Sequence, residues 1–260
     1  MAFRQRRRAV TVTAFGMSSI SQPSAVTFSE LGQRAQPPTI ARLLAMALEN
    51  PKLLSIAAGF TDTANLPVAG VQQAVQALVA QEGPPEYLQY GGTHGRPELK
   101  RLLAEHLCEQ EPVLDEHHVQ RGAFITNGSQ QALYLAMQVL CDPGDIVLVD
   151  RPSYFVFLEM LRGLGVEARS LPVDSAGKID GDGLRALLAK MNASGDAARV
   201  KAVYFVSYFS NPSGRSLSTE EKTTIAEELR AADLVIPAIE DAAYRDLYFE
   251  TPWPADSILS

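Results

Sequence analysis

Four polar segments of this 260-residue chain each follow a short apolar run, and their residue types could bind a charged ligand together. They are Asn127–Gln131, Asp150–Tyr154, Tyr208–Gly214 and Glu240–Tyr244. The first could hold an anion, because the free N–H groups at the start of a helix favour negative charge. The last ends an apolar strand in carboxylates, which are costly to bury without a cationic partner. A bound cation or a protonated ring nitrogen would supply one.

Each segment also has an ordinary explanation when taken alone. Ser129 could simply cap a helix after the turn at Gly128. Tyr154 could be a core residue rather than an aromatic lying over a flat heterocycle. Asn211, held extended by the following proline, could belong to a plain loop. Asp241 could be an exposed strand end. The order of the four segments, each at a strand end, favours a ligand site.

The elements that must position these residues alternate regularly along the chain. Apolar β-branched runs predict strands at 124–126, 146–149, 166–171, 200–206 and 234–239. Helical spacing of apolar residues predicts helices at 39–48, 68–80, 96–109, 130–140, 154–164, 183–191 and 219–231. Strands alternating with helices predict an α/β fold whose mainly parallel sheet is covered on both faces. In such sheets ligands bind beyond the carboxyl ends of the strands.

The composition is that of a globular protein, with 46% apolar and 20% charged residues. The net charge of -7 argues against a nucleic-acid partner. We interpret the four arginines within residues 4–8 as a disordered or spurious leader; the alternative is a basic tail that touches nucleic acid or an anionic membrane. No run is long enough for a membrane span or a secretory signal. Cys108 and Cys141 are isolated thiols, which suits a reducing cytoplasm. The four histidines lack ligand spacing, so we expect no metal site.

Taken together, the motifs resemble the class I/II aminotransferases of pyridoxal-phosphate (PLP) fold type I, which are similar to aspartate aminotransferase. The nearest branch contains the aminoadipate and kynurenine aminotransferases. The resemblance covers residues 55–248 and rests on the segments Tyr90–Gly95, Pro97–Leu99, Asn127–Gln131, Pro152–Tyr154, Asn211–Gly214 and Asp241–Tyr244. It implies a three-layer α/β/α large domain, with an arm and small-domain segment at 1–66 and the large PLP-binding domain, incomplete at its C-terminus, at 67–260.

The resemblance also implies roles for individual residues toward PLP. Ser129 and Gln130 would hold the phosphate, and Tyr154 would stack on the pyridine ring. Asn211 and Tyr244 would hydrogen-bond the phenolic oxygen of the ring, and Asp241 would pair with the ring nitrogen.

Two further positions concern the substrate and a second subunit. In the family, the residue at Tyr90 reaches the cofactor phosphate of the other subunit, which implies a homodimer. The loop near Gly59 would lie close to the substrate carboxylate.

The same resemblance places the lysine that forms a Schiff base with PLP some tens of residues after Tyr244. The chain ends at Ser260, so we expect a C-terminally truncated, inactive chain that lacks this lysine, the small domain and its carboxylate-binding arginine. No catalytic residue is therefore assigned. Lys178 follows a serine at the family's spacing, but it precedes Asn211 in the chain, so we interpret it as a turn lysine.

Four functions remain open at this point. The first is transfer of an amino group between an amino acid and a 2-oxo acid. The second is a PLP-dependent lyase or synthase reaction on the same scaffold. The third is the effector domain of a transcriptional regulator, for which only about 38 residues precede the first predicted helix, so DNA binding is not expected. The fourth is a non-catalytic PLP-binding remnant.

Overall fold

The computed structural model describes residues 27–35, 39–50, 52–54, 61–83 and 86–260. Gly59 lies outside these ranges. The helices and strands are α1 Glu30–Arg34, α2 Thr39–Glu49, α3 Val68–Val79, α4 Pro97–Gln110, α5 Glu116–Gly122, α6 Ser129–Leu140, β1 Ile146–Val149, α7 Phe155–Leu164, β2 Glu167–Ser170, α8 Gly181–Ser194, β3 Val200–Val206, α9 Thr219–Ala231 and β4 Ala238–Asp241.

The four strands form one parallel sheet in the order β2-β1-β3-β4. Because successive strand residues point to opposite faces, β1 and β3 contribute to two separate cores. Leu148 and Phe205 pack with α8 and α9 on one face. Val147 and Tyr204 pack with α6 and α7 on the other. This is the predicted three-layer α/β/α arrangement with a parallel sheet.

The fourth strand begins later than the sequence predicts. We expected a strand at 234–239 with Glu240 and Asp241 following at its end, but β4 spans Ala238–Asp241. Pro237 has no N–H to give to a ladder, and the register of β3 pairs Phe205 with Glu240 and Val206 with Asp241. Glu240 and Asp241 therefore belong to the strand, and their backbones take part in its pairing with β3.

The predicted strand at 124–126 is wrong. The N–H of Ile125 donates to the carbonyl of His94 at 3.2 Å, and the segment joins no ladder among the described residues. Phe124 keeps 51% of its surface exposed. A short apolar run becomes a strand only where a partner strand can accept its hydrogen bonds.

Candidate functional site

A pocket opens beyond the carboxyl ends of β3 and β4, on the sheet face covered by α6 and α7. It is lined by Ser129, Tyr154, Val206, Asn211, Asp241, Ala243 and Tyr244. Five of these are residues for which the sequence predicted a role toward a ligand, although they come from four separate segments. The structure thus brings residues of the four segments together at one pocket.

The start of α6 forms one wall of this pocket. Gly128, not Ser129, is the N-cap, with φ 82° and ψ 167°, a backbone conformation that is accessible essentially only to glycine. The alternative in which Ser129 only caps the helix does not hold: Ser129 is the first helical residue, and no side chain caps the helix. Because the first N–H groups of a helix lack internal partners, an uncapped start can bind an anion.

Tyr154 supplies the aromatic wall. It is the N-cap of α7 and is half-buried, so its ring is held at the pocket while part of it stays accessible. The amide of Gln130 donates to the Tyr154 hydroxyl at 3.3 Å. Gln130 itself does not line the pocket, so its side chain acts there only through Tyr154.

The loop after β3 presents Asn211. The N–H of Ser210 donates to the Arg215 carbonyl at 2.8 Å, and the N–H of Gly214 donates to the Ser210 carbonyl at 2.6 Å, which closes the loop. The Asn211–Pro212 peptide bond is cis. Within this closed loop Asn211 is half-buried and lines the same pocket as Asp241.

Asp241 provides the carboxylate of the site. Its Oδ1 accepts the N–H of Ala243 at 3.1 Å, and its Oδ2 accepts the hydroxyl of Tyr204 at 2.9 Å. No lysine, arginine or histidine of the described residues forms an ion pair with it. A half-buried carboxylate held only by neutral donors can still pair with a cationic ligand group.

Tyr204 is the residue of this site that sequence reasoning missed. It lies in the middle of β3, is fully buried, and pairs in register with Ile239, two residues before Asp241. A signal was available, because a buried tyrosine hydroxyl needs an acceptor, and residues two apart on a strand share a face. Finding it required the register between β3 and β4, which the sequence alone does not give.

A second carboxyl group lies below the pocket. Asp150 is 6% exposed, and its Oδ2 accepts the N–H of Val206 at 3.0 Å. Burial raises the pKa of Asp150, the nearby Ser153 hydroxyl and the N–H of Val206 oppose that rise, and the charge of Asp241 adds to it. Asp150 lines a neighbouring cavity together with Ser210 and Arg215 and not the pocket itself, so Asp241 is the carboxylate that a ligand in the pocket meets.

Other residues with predicted roles lie elsewhere. Tyr90 is 99% exposed and does not line the pocket, and Gly59 falls outside the described residues. None of the six lysines of the chain lines the pocket. Lys178 accepts the N–H of Asp174 at its carbonyl in a tight turn, which confirms the interpretation as a turn lysine.

The groups around the pocket are complementary to a flat ligand with two different ends. The α6 start suits an anionic group, Tyr154 suits a planar ring, and Asp241 suits a protonated ring nitrogen. Asn211 and Tyr244 add polar groups between these ends. The donor set therefore fits a phosphorylated pyridine such as PLP.

The family model for aminotransferases of class I and II matches residues 52–259. The chain belongs to this family. It is 30% identical over 223 residues to the 2-aminoadipate transaminase of Thermus thermophilus, covering 85% of this chain and 51% of the relative. A solved structure of the α-aminoadipate aminotransferase LysN from the same organism, complexed with N-(5'-phosphopyridoxyl)-L-leucine, is 28% identical with a TM-score of 0.64. That match covers 88% of this chain and 52% of that one.

A further relative belongs to another functional class. The protein named as the uncharacterized HTH-type transcriptional regulator YjiR of Escherichia coli is 28% identical over 176 residues, which cover 68% of this chain and 35% of that protein. This chain thus spans about half the length of the transaminase that it matches and about a third of the regulator. Among the described residues, no helix has the length and apolar character needed to cross a membrane.

Proposed function

We propose that the pocket binds PLP, with the phosphate at the start of α6 and the pyridine nitrogen at Asp241. The observation that carries this proposal is that Asp241, half-buried and without a cationic partner among the described residues, lines the same pocket as the uncapped start of α6. Bound there, PLP supplies an electron sink that stabilises the carbanion left when an amino acid loses its α proton.

The residues of this chain would each contact a defined part of the cofactor. Ser129, through its hydroxyl and N–H, and Gln130, through its N–H, would bind the phosphate. Tyr154 would cover one face of the ring and exclude water from it. Asn211 and Tyr244 would donate to the phenolic oxygen. Asp241 would keep the ring nitrogen protonated, because a nearby carboxylate stabilises the positive charge.

The reaction that we propose for the protein is transfer of an amino group between an amino acid and a 2-oxo acid. The names of the matched transaminases support this choice over a lyase or synthase reaction, for which the pocket is equally suited. We place the reaction in the cytoplasm, since the two cysteines are unpaired thiols.

Two features of the chain bear on how the site is completed. No lysine lines the pocket, so we propose that these 260 residues hold the cofactor without a covalent bond and contribute no catalytic base. We also propose a homodimer in which Tyr90, almost fully exposed, contacts the cofactor phosphate of the partner. The segment at 1–66, with Gly59, would belong to the arm and small domain, and 67–260 to the PLP-binding domain.

The proposal is tested by binding and by label transfer. The chain should bind PLP saturably, with competition by inorganic phosphate. Absence of saturable binding would contradict the proposed cofactor site. The reaction is tested with the protein purified from its own cells. It is incubated with ¹⁵N-labelled 2-aminoadipate and 2-oxoglutarate, and the label is followed into the amino acid formed from 2-oxoglutarate. Breakdown of the amino acid without transfer of the label would indicate a lyase instead.

The second candidate function is ligand sensing in a transcriptional regulator, which the match to YjiR favours. The cofactor pocket would then serve as an effector site. A duplex-DNA retention assay on the protein separates the two functions. Sequence-selective retention that survives 200 mM salt would favour the regulator, because non-specific binding weakens steeply with salt.

A further inference from the structure

Tyr204 connects the interior of the protein to the carboxylate of the pocket. Its hydroxyl lies 2.9 Å from Asp241 Oδ2, and its ring is completely buried in the core between the sheet and α7. The ring stacks on Phe157, with centroids 3.9 Å apart and planes at 28°. Phe157 lies three residues after Tyr154 on α7, so one helix holds both the aromatic wall of the pocket and the ring that fixes Tyr204.

The direction of this hydrogen bond is fixed. Burial, followed by the charge of Asp241 and the hydrogen bond to it, raises the pKa of Tyr204 well above its ordinary value. The phenol therefore keeps its proton throughout the pH range in which proteins are folded. Because Asp241 Oδ2 accepts that proton, the hydroxyl is a permanent donor to the carboxylate.

Asp241 is thereby held at both oxygens. The N–H of Ala243 comes from the turn that follows β4 and fixes Oδ1, and Tyr204 fixes Oδ2 from the neighbouring strand. Without the hydroxyl of Tyr204, the carboxylate can rotate about its Cβ–Cγ bond, because only the hydrogen bond from the N–H of Ala243 would restrain it. The two donors together determine which lone pairs remain for a ligand.

We propose that Tyr204 is a positioning residue that orients Asp241 toward the ring nitrogen of the cofactor. This inference rests on the proposed function, because it assigns the ligand atom that Asp241 meets. Tyr204 does not line the pocket and so acts through Asp241 alone. Its removal weakens binding of a ligand with a ring nitrogen and leaves binding of a ligand without one unchanged.

The test compares pyridoxamine 5'-phosphate with its 1-deaza analogue, in which carbon replaces the ring nitrogen. Both are titrated against the chain and against Tyr204→Phe, Asp241→Asn and the double variant. Tyr208→Phe is the matched control, because Tyr208 is equally buried on the segment after β3, and its hydroxyl donates to the Ala255 carbonyl at 3.1 Å instead. Circular dichroism melts establish that each variant is folded.

We expect Tyr204→Phe to lower the affinity for pyridoxamine phosphate about tenfold, which is the order expected for loss of a hydrogen bond to a charged group. The affinity of Tyr204→Phe for the 1-deaza analogue should stay within about twofold of that of the unsubstituted protein. In the Asp241→Asn background, adding Tyr204→Phe should cause no further loss of affinity for pyridoxamine phosphate. Should Tyr204→Phe fail to fold, 4-aminophenylalanine in place of Tyr204 keeps a donor at the same place and should retain full affinity.

Three results would overturn the inference. Unchanged affinity of Tyr204→Phe for pyridoxamine phosphate would show that Asp241 needs no orienting donor. An equal loss for both ligands, or an equal loss in Tyr208→Phe, would show a packing role only. If the unsubstituted protein bound neither ligand, the proposed cofactor site itself would fail together with the inference.

Discussion

Lys222 Nζ lies 2.7 Å from Glu240 Oε1 in the interior of the protein. Glu240 directly precedes Asp241, the residue that gives the pocket its carboxylate. The side chains of Lys222 and Glu240 are 7% and 6% exposed. Lys222 also donates to the carbonyl of Asp256 at 2.6 Å, and Glu240 Oε2 accepts the N–H of Ile258 at 2.8 Å. The pair thus joins α9, the end of β4 and the loop 255–258, and it holds the strand that carries Asp241.

Replacing Lys222 by alanine should destabilise the protein by about 3–5 kcal/mol, because Glu240 would remain as an unpaired buried charge. Urea unfolding followed by circular dichroism measures the change. The double variant Lys222→Met with Glu240→Gln is the control, since it removes both charges at similar volume. It should lose clearly less than Lys222→Ala. An equal or larger loss in the double variant would contradict this view of the pair.

Asp150→Asn should stabilise the protein at neutral pH. Burial raises the pKa of Asp150 above its ordinary value of 3.8, so the ionised form is less stable in the folded protein than in the unfolded chain. The contribution of Asp150 to stability is fully present below that ordinary value and is lost as the pH rises through the raised pKa. The advantage of asparagine should therefore be absent near pH 3 and appear by pH 7. Unfolding free energies at both values check it, and a constant difference would refute it.

Gly95→Ala should destabilise the protein by about 2 kcal/mol or more. Gly95 has φ +98°, and a Cβ there would lie 2.6 Å from the Cβ of Ile125, so both the backbone and the packing would have to shift. Gly91→Ala in the same segment is the matched control, because a Cβ at Gly91 meets nothing within 4 Å. Thermal melts of the two variants compare them. Equal melting temperatures would show that the contact between Gly95 and Ile125 is not formed.

Borohydride treatment of the chain with PLP should trap no lysine of the pocket. None of the six lysines lines the pocket, and the ammonium group of Lys222 is held in an ion pair by Glu240, the neighbour of Asp241. Peptide mapping by mass spectrometry after reduction locates any adduct. Partial labelling of exposed lysines such as Lys178 gives the background level for comparison. A single lysine modified stoichiometrically and protected by pyridoxamine phosphate would contradict the proposal of non-covalent binding.

The sequence predicted correctly those strands and helices whose bounds are set by neighbouring residues. The bounds of β1, β3 and α9 agree with the structure, because buried parallel strands are continuous apolar runs and Ser218 marks the helix start with a capping box. The segments after β1, β3 and β4 were located by their positions at strand ends, whereas the segment at Ser129 follows no strand among the described residues. The late start of β4 did not, since it depends on its register with β3.

The errors share a physical cause, which is that the interactions concerned join distant segments. The run at 124–126 has strand composition but no partner strand among the described residues. Tyr204 and Lys222 are 37 and 18 residues from the acidic groups that they contact. Only the packing of α9 and β3 against β4 brings these pairs together, and no motif in the sequence indicates it.

The central claim is that Asp241 pairs with the ring nitrogen of a bound phosphopyridine. It is tested most directly by titrating pyridoxamine 5'-phosphate against the unsubstituted protein and Asp241→Asn. We expect saturable binding by the former and an affinity at least tenfold lower for the latter, with both proteins melting cooperatively. Equal affinities of the two folded proteins would contradict the claim.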